Sequence, residues 1–120
     1  MLLSCEAMQV DKLVIFEMQA KLCSLMANTK RLMIMDFLSR KQEACVGDIA
    51  EDLNVSVSVV SQHLRLMRDN SIVLSRKDGH TVFYRLKHPK IMAGCQTVRE
   101  VLMDELRSRG KMAEEIGQQS

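Results

Sequence analysis

Residues 46 to 69 read VGDIAEDLNVSVSVVSQHLRLMRD, and this stretch decides the fold. Its opening segment places apolar side chains at helical spacing and predicts a short helix from Val46 to about Leu53. Asn54, Val55 and Ser56 then turn the chain, and the Ser56 hydroxyl is suited to cap a following helix. Two helices joined by three or four residues, the second beginning with small polar side chains, form a helix-turn-helix.

The second helix of this motif has two chemically different sides. Val60, Leu64 and Met67 recur every three or four residues and predict a buried side. The helix ends at Asp69-Asn70-Ser71, where short polar side chains favour a turn. Small hydroxyl-bearing residues occupy the other side, which we expect to be exposed.

A β-hairpin is predicted directly after this motif. Apolar residues alternate in residues 72–74 and again in 82–86, and Asp78-Gly79 lies between the two runs. Asp-Gly between alternating β-prone segments strongly indicates a tight hairpin turn. Because the arms are rich in basic residues and the tip is polar, the hairpin is suited to lie as a wing along a phosphate backbone.

Two helices are predicted before the motif. The first spans about residues 7–27, and Asn28-Thr29 can cap a second that ends near Ser39-Arg40. Lys30 and Arg31 lie in the first turn of this second helix, where the helix dipole disfavours cations. Their position against this rule points to a specific role.

A last helix, from about Lys90 to Arg109, follows Pro89 and carries a narrow apolar seam formed by Ile91, Cys95, Val98, Leu102 and Leu106. Such a seam usually packs against another helix, here its symmetry mate in a homodimer and the first helix. We therefore predict a mainly α fold with a β-hairpin wing (α+β), a winged helix-turn-helix flanked by N- and C-terminal dimerisation helices. One domain would span residues 1–110, followed by a flexible tail over 111–120.

Composition and charge narrow the class of partner. The 120 residues are 47% hydrophobic and 27% charged, which is usual for one globular domain. The net charge is +2, but residues 56–90 carry seven Lys and Arg against two Asp, a local +5 that leaves −3 elsewhere. A segregated basic segment favours a polyanion, here double-stranded DNA. No Ser-His-acid set, glycine-rich phosphate loop or acidic metal cluster indicates an enzyme.

The sequence predicts no membrane partner. No apolar run approaches the roughly 18 residues needed to cross a bilayer. The start, MLLSC, resembles a lipoprotein cleavage box but has neither a charged leader nor a long apolar segment. We expect a cytoplasmic protein whose four cysteines are thiols.

Three segments together resemble the ArsR/SmtB family of bacterial and archaeal metal- and stress-responsive repressors. They are MANTKRL at residues 26–32, VSVSVVSQHLRLMR at 55–68, and the hairpin at 76–84. The resemblance covers about residues 20–105, and the serine-rich helix ending in His-Leu-x-x-Met-Arg is its most specific part. Thr29 stands where the family usually has proline, a difference that affects a helix start rather than the DNA surface.

The resemblance implies a DNA surface made of the helix front and the wing. Gln62 can pair bidentately with adenine and Val57 can touch a thymine methyl, while small hydroxyls let the helix enter the major groove. His63 is expected to be structural, and Ser58 and Ser61 have the alternative role of keeping an exposed helix soluble. The predicted contacts are Val57, Ser58, Ser61, Gln62, Arg65, Arg76, Lys77 and His80. For Arg65 and Arg68 the partner is phosphate or an acidic residue such as Asp69.

The effector is not determined by the resemblance. One family arrangement uses Cys-Val-Cys with N-terminal cysteines, but this chain has Cys45-Val46-Gly47 and one N-terminal Cys5. Another places Asp, His, His and Glu on the last helices, where His88, Lys90, Val101 and Asp104 cannot make a zinc site.

Two cysteine pairs are nevertheless candidates for sensing an inorganic or oxidant effector. Cys5 and Cys45 could hold a thiophilic metal or metalloid ion, and Cys23 and Cys95 could form a redox or arsenical switch. The alternative is that these cysteines are small buried hydrophobes. At the level of function, the alternatives to a DNA-binding repressor with an effector are a winged-helix module that binds protein and a constitutive regulator without cysteine sensing.

Overall fold

The computed structural model describes residues 5–110 and 115–117, with side chains from residue 11 onward. It divides into two compact units, residues 1–87 and 88–120. The first contains α1 (Cys5–Met26), α2 (Thr29–Lys41), β1 (Ala44–Cys45), α3 (Val46–Leu53), α4 (Val57–Asp69), β2 (Val73–Asp78) and β3 (Thr81–Leu86). The second contains α5 (Ile91–Ser108). The predicted mainly α fold with a β-hairpin wing is confirmed; the single domain over 1–110 and the flexible tail stay predictions.

The core of the first unit lies where α2, α3 and α4 meet the sheet. It is aliphatic, as expected for a chain with 3% aromatic residues. Each such buried side chain contributes about 1.5–3 kcal/mol to burial free energy. Its largest fully buried side chains are Ile34, Met35, Leu38, Ile49, Val60, Leu64, Met67 and Val73.

The turn of the helix-turn-helix is built from residues 54–56, as predicted. Asn54 adopts the left-handed conformation (φ 54°, ψ 47°), which Asn tolerates better than most residues. The Ser56 Oγ accepts a hydrogen bond from the backbone N–H of Val59 at 3.3 Å and so caps α4. These two residues determine where α3 ends and α4 begins.

The predicted hairpin is confirmed and its register is continuous from Val73↔Leu86 to Asp78↔Thr81. Gly79 occupies the first central position of the turn with a φ of +64°. A two-residue hairpin loop with glycine and positive φ at this position matches the right-handed twist of the strands. This hairpin is the wing.

The sequence pattern predicts no strand between the second and third helices, and this prediction was wrong. Ala44 and Cys45 form β1, which pairs with Tyr84 and Phe83 of β3 and gives a sheet of order β1-β3-β2. A strand of two residues is too short to show a period of two. Only the distant strand β3 makes it a strand.

The two terminal helices leave apolar side chains exposed. On α1, Leu13, Ile15, Phe16 and Met18 are all more than half exposed. On α5, Met92 and Leu106 are buried, whereas the seam residues Val98 and Leu102 and their neighbour Val101 are exposed. No helix among the described residues is long and apolar enough to cross a membrane.

The chain leaves α2 through a strained turn centred on Gln42. With φ 68° and ψ −45°, Gln42 occupies a region that favours glycine. The N–H of Glu43 donates to the carbonyl of Lys41 at 2.8 Å, the bond of a γ-turn. A γ-turn with positive φ is rare, and such strain costs on the order of 1–3 kcal/mol.

Replacing Gln42 by glycine should raise the free energy of unfolding by about 1 kcal/mol, because relief of strain exceeds the entropy that glycine adds to the unfolded chain. Urea unfolding measures this as a higher midpoint at unchanged slope. Gln42→Ala is the control and should give no gain, since alanine keeps the Cβ. A midpoint for Gln42→Gly equal to or below that of the alanine variant would contradict the strain.

Candidate nucleic-acid interface

The two sides of α4 differ in burial: one side is buried and the opposite side is exposed. Val60, Leu64 and Met67 are at most 1% exposed. On the other side of the helix, exposed residues three or four positions apart form a continuous stripe along the axis. The structure thus brings together Val57, Ser58, Ser61, Gln62 and Arg65, the predicted contacts on this helix.

The N-terminal end of this stripe is rich in hydroxyl groups. Ser56 caps the helix, and its Oγ lies 3.4 Å from the Oγ of Ser58. Val57 between them is 51% exposed, an apolar side chain facing outward beside two hydroxyls. Such a combination can contact a base edge and a thymine methyl together.

Arg31 connects three helices behind the stripe. Its Nε donates to His63 Nδ1 at 3.1 Å, and its Nη1 donates to the Leu25 carbonyl at 3.0 Å. Asn28 Oδ1 accepts from the backbone N–H groups of Lys30 and Arg31 and caps α2. Arg31 therefore ties the last turn of α1 and the start of α2 to α4, which explains a cation in this first turn.

His63 has the expected structural role. Burial lowers the pKa of its imidazole, and the positive charges of Arg31 and Lys30 lower it further. The neutral ring can accept the hydrogen bond from Arg31, whereas the protonated ring has two N–H donors and no acceptor. The contact between α2 and α4 therefore requires a neutral histidine.

Residues of the wing differ in how they are held. Lys77 and His80 are exposed at the end of β2 and in the turn. Arg76 is also exposed but is paired with Glu43, whose carboxylate accepts bonds from Arg76 Nε at 2.7 Å and Nη2 at 2.6 Å. Glu43 could not be predicted from the sequence, because nothing in its local pattern indicates a partner 33 residues away.

Among the other basic residues, Arg68 lies 3.8 Å from Asp69, and both side chains are exposed. An exposed pair of this kind contributes at most about 1 kcal/mol. At this distance Asp69 is an acidic partner of Arg68, as the sequence suggested. Arg65 lies in the exposed stripe.

The described cysteines are free thiols. Cys23 is exposed on α1, whereas Cys45 and Cys95 are half-buried; the side chain of Cys5 lies outside the described residues. Within the described parts of the chain, no three His, Cys, Asp or Glu side chains come together as metal ligands. These residues therefore do not fit a closed metal site, and the proposed cysteine pairs stay predictions.

Known proteins resemble this chain in both sequence and fold. The profile of the arsR family of bacterial regulatory proteins matches residues 28–74. Nodulation protein NolR of Rhizobium meliloti is 43% identical over 89 residues, 74% of this chain and 72% of that protein. The transcriptional repressor SmtB homolog of Synechocystis is 37% identical over 99 residues, 82% and 72% of the two chains. The crystal structure of NolR from Sinorhizobium fredii has a TM-score of 0.66 at 35% identity and covers 84% of this chain and 95% of that one.

Acidic pH should destabilise the protein through His63. Its pKa is lowered in the fold, so the unfolded chain binds the proton more readily and the free energy of unfolding falls as the pH drops below about 6.5. His63→Asn keeps an acceptor near the position of Nδ1 but cannot titrate, and should lose this part of the pH dependence. Urea unfolding across this pH range measures the effect.

The matched control is His88→Asn, which removes an exposed histidine and should keep the wild-type decrease. An equal decrease in His63→Asn and wild type would show that His63 does not couple protonation to folding.

Proposed function

This chain belongs to the ArsR/SmtB family of winged helix-turn-helix transcriptional regulators, and we propose that it acts as a homodimeric repressor that binds an imperfect inverted repeat in DNA. The observation that carries the proposal is the exposed stripe on α4, with small hydroxyls and Gln62 opposite a fully buried side. A helix of this kind fits the major groove, which is about 12 Å wide.

The stripe supplies the contacts that distinguish base sequences. Gln62 pairs with an adenine through its amide, and Val57 contacts a thymine methyl. Ser58 and Ser61 are small enough to let the helix approach and donate to base edges or phosphates, and Arg65 neutralises a phosphate further along.

The wing contributes contacts to the sugar-phosphate backbone. Lys77 and His80 are exposed at its tip and bind phosphate or enter the minor groove. Arg76, also predicted to do so, is already paired with Glu43 through two of its N–H groups.

A second copy of the chain covers the exposed apolar faces. On α5, Val98 is 70% exposed and Leu102 54%, and α1 presents Phe16 at 66%. Soluble monomers rarely expose contiguous apolar faces of this kind. Most oligomers have a two-fold axis, and two recognition helices related by one require half-sites about 34 Å apart.

Repression is proposed because the Synechocystis relative is named a transcriptional repressor. For release from DNA we propose a thiol-reactive species, since Cys23 is exposed and Cys45 and Cys95 are partly accessible. The proposal assigns no role to a bound metal ion, because the described residues do not fit a closed metal site. Constitutive binding, without any cysteine response, is the rival.

Footprinting on the DNA upstream of the protein's own gene tests the function. We expect protection of an inverted repeat, with affinity that falls log-linearly with salt. Gln62→Ala should weaken binding to this site by about 10–100-fold, the value of one bidentate base contact, while nonspecific binding is unchanged. Gln96→Ala, an exposed glutamine on α5, is the control. Absence of protection under all conditions would favour a module that binds protein.

The same footprint tests the effector. Arsenite, sulfide, peroxide and a panel of metals are added in turn to wild type and to a variant with all four cysteines replaced by serine. Release that requires the cysteines supports thiol sensing. Unchanged protection in both proteins identifies a constitutive regulator.

Introducing a charge into the α5 seam should separate the dimer. We expect Val98→Glu to raise the dimer dissociation constant at least about tenfold, because an unpaired carboxylate in an apolar interface is costly. Sedimentation across a concentration series measures this. Gln96→Glu adds the same charge on the opposite side of α5 and should leave the constant unchanged; equal effects of the two variants would place the interface elsewhere.

A further inference from the structure

The side chain of Arg76 crosses the sheet. Arg76 on β2 lies opposite Phe83 of β3, and Phe83 lies opposite Cys45 of β1. The guanidinium carbon is 4.8 Å from the centroid of the Phe83 ring, and the group reaches Glu43 just before β1. The arginine therefore links β2, at one edge of the sheet, to the segment that enters β1 at the other edge.

Two of the five N–H groups of this guanidinium are hydrogen-bonded within the protein, although the side chain is 53% exposed. Nε and Nη2 form a bidentate pair with Glu43, and Nη1 lies 3.8 Å from Asp78. The hydrogen bonds from Arg76 lower the pKa of the Glu43 carboxyl, and those to Glu43 raise the pKa of Arg76. A planar fork paired with a carboxylate and stacked on a ring is held in one orientation.

Lys77 differs from Arg76 in the face of β2 that it occupies. Successive side chains of a strand point to opposite faces, so Lys77 lies on the face away from the Phe83 ring. Lys77 and the turn residue His80 are both exposed. Arg76 is exposed as well, so it is distinguished from Lys77 and His80 by its pairing across the sheet and not by burial.

The Glu43 side of the pair belongs to the helix-turn-helix. Glu43 follows the strained turn at Gln42 and directly precedes β1, which continues into α3 at Val46. The pair thus joins the outer strand of the wing to the entrance of the helix-turn-helix. A wing held at one angle loses less conformational freedom when it meets the backbone of DNA.

Resting on the proposed function, we infer that Glu43 and Arg76 are positioning residues that set the angle of the wing, and that Lys77 and His80 make its phosphate contacts. Arg76 acts on DNA binding through Glu43. This assignment replaces the predicted phosphate contact of Arg76.

A charge swap tests the inference. Arg76→Glu and Glu43→Arg each place like charges together and should weaken binding to the footprinted site about tenfold through displacement of the wing. The double variant restores an ion pair and should return to within about threefold of wild type. Its salt slope should equal that of wild type, because no phosphate contact has been lost.

A direct contact predicts the opposite result. If Arg76 binds phosphate, the double variant stays as weak as Arg76→Glu, and its salt slope falls by about 0.9. Tighter binding by Glu43→Arg alone would equally overturn the positioning role. Wild type that fails to bind the DNA at all would instead defeat the proposed function, so the two failures are distinguishable.

Lys77→Glu is the matched control on the other face of β2. It should weaken binding and lower the salt slope, and Glu43→Arg should not rescue it. Thermal unfolding checks that each variant is folded. If Arg76→Glu does not fold, Arg76→Gln replaces it: an unchanged slope supports the positioning role, and a fall of about 0.9 overturns it.

Discussion

The burial of Val60, Leu64 and Met67 is the constraint on which the rest of this structure depends. These side chains pack one side of α4 into the core, where α4 contacts α2, α3 and β2. Since a helix repeats every 3.6 residues, the commitment leaves one stripe for any partner, and Ser58, Ser61 and Gln62 occupy it. The chemistry offered to DNA is therefore a consequence of packing. Any substitution that rotated α4 would change which side chains are exposed in this stripe without altering one of them.

Two arginines of the first unit are used by the protein itself. Arg31 holds α4 to α2 and α1 through His63 and the Leu25 carbonyl, and Arg76 holds the wing to Glu43. The +5 of residues 56–90 overstates the charge available to DNA, because Glu43 lies outside that segment and offsets one of its cations. Both links are polar contacts at the edges of an apolar core. They contribute less to total stability than apolar burial does. Because hydrogen bonds are directional, however, they determine how the joined helices and strands are oriented, which apolar contacts alone do not.

The terminal helices and the cysteines carry the less determined part of the function. Apolar residues on α1 and α5 are exposed, and a two-fold partner gives those faces and the two recognition helices one common explanation. The cysteines are chemically competent as thiols, yet the described residues do not gather around any of them as metal ligands. The proposed DNA surface and the proposed effector response therefore involve different residues. The first is a packed helix and its wing, whereas the second would involve cysteines around which the described residues form no metal cluster.

Most of the fold and the α4 stripe could be predicted from the sequence by itself, because they depend on neighbours within a few positions. Helical spacing in residues 46–69, the Ser56 cap and the hairpin turn at Gly79 are local in this sense. Only the tertiary structure decided β1, the Arg31–His63 link and the Glu43–Arg76 pair. The residues that meet in these contacts are more than 30 positions apart in the sequence. A strand of only two residues, such as β1, also shows no periodicity. For Arg76 the sequence supplied a cation on a wing, and the folded sheet supplied Glu43, since a carboxylate outside the hairpin reaches it only after α2, β1 and β3 have packed.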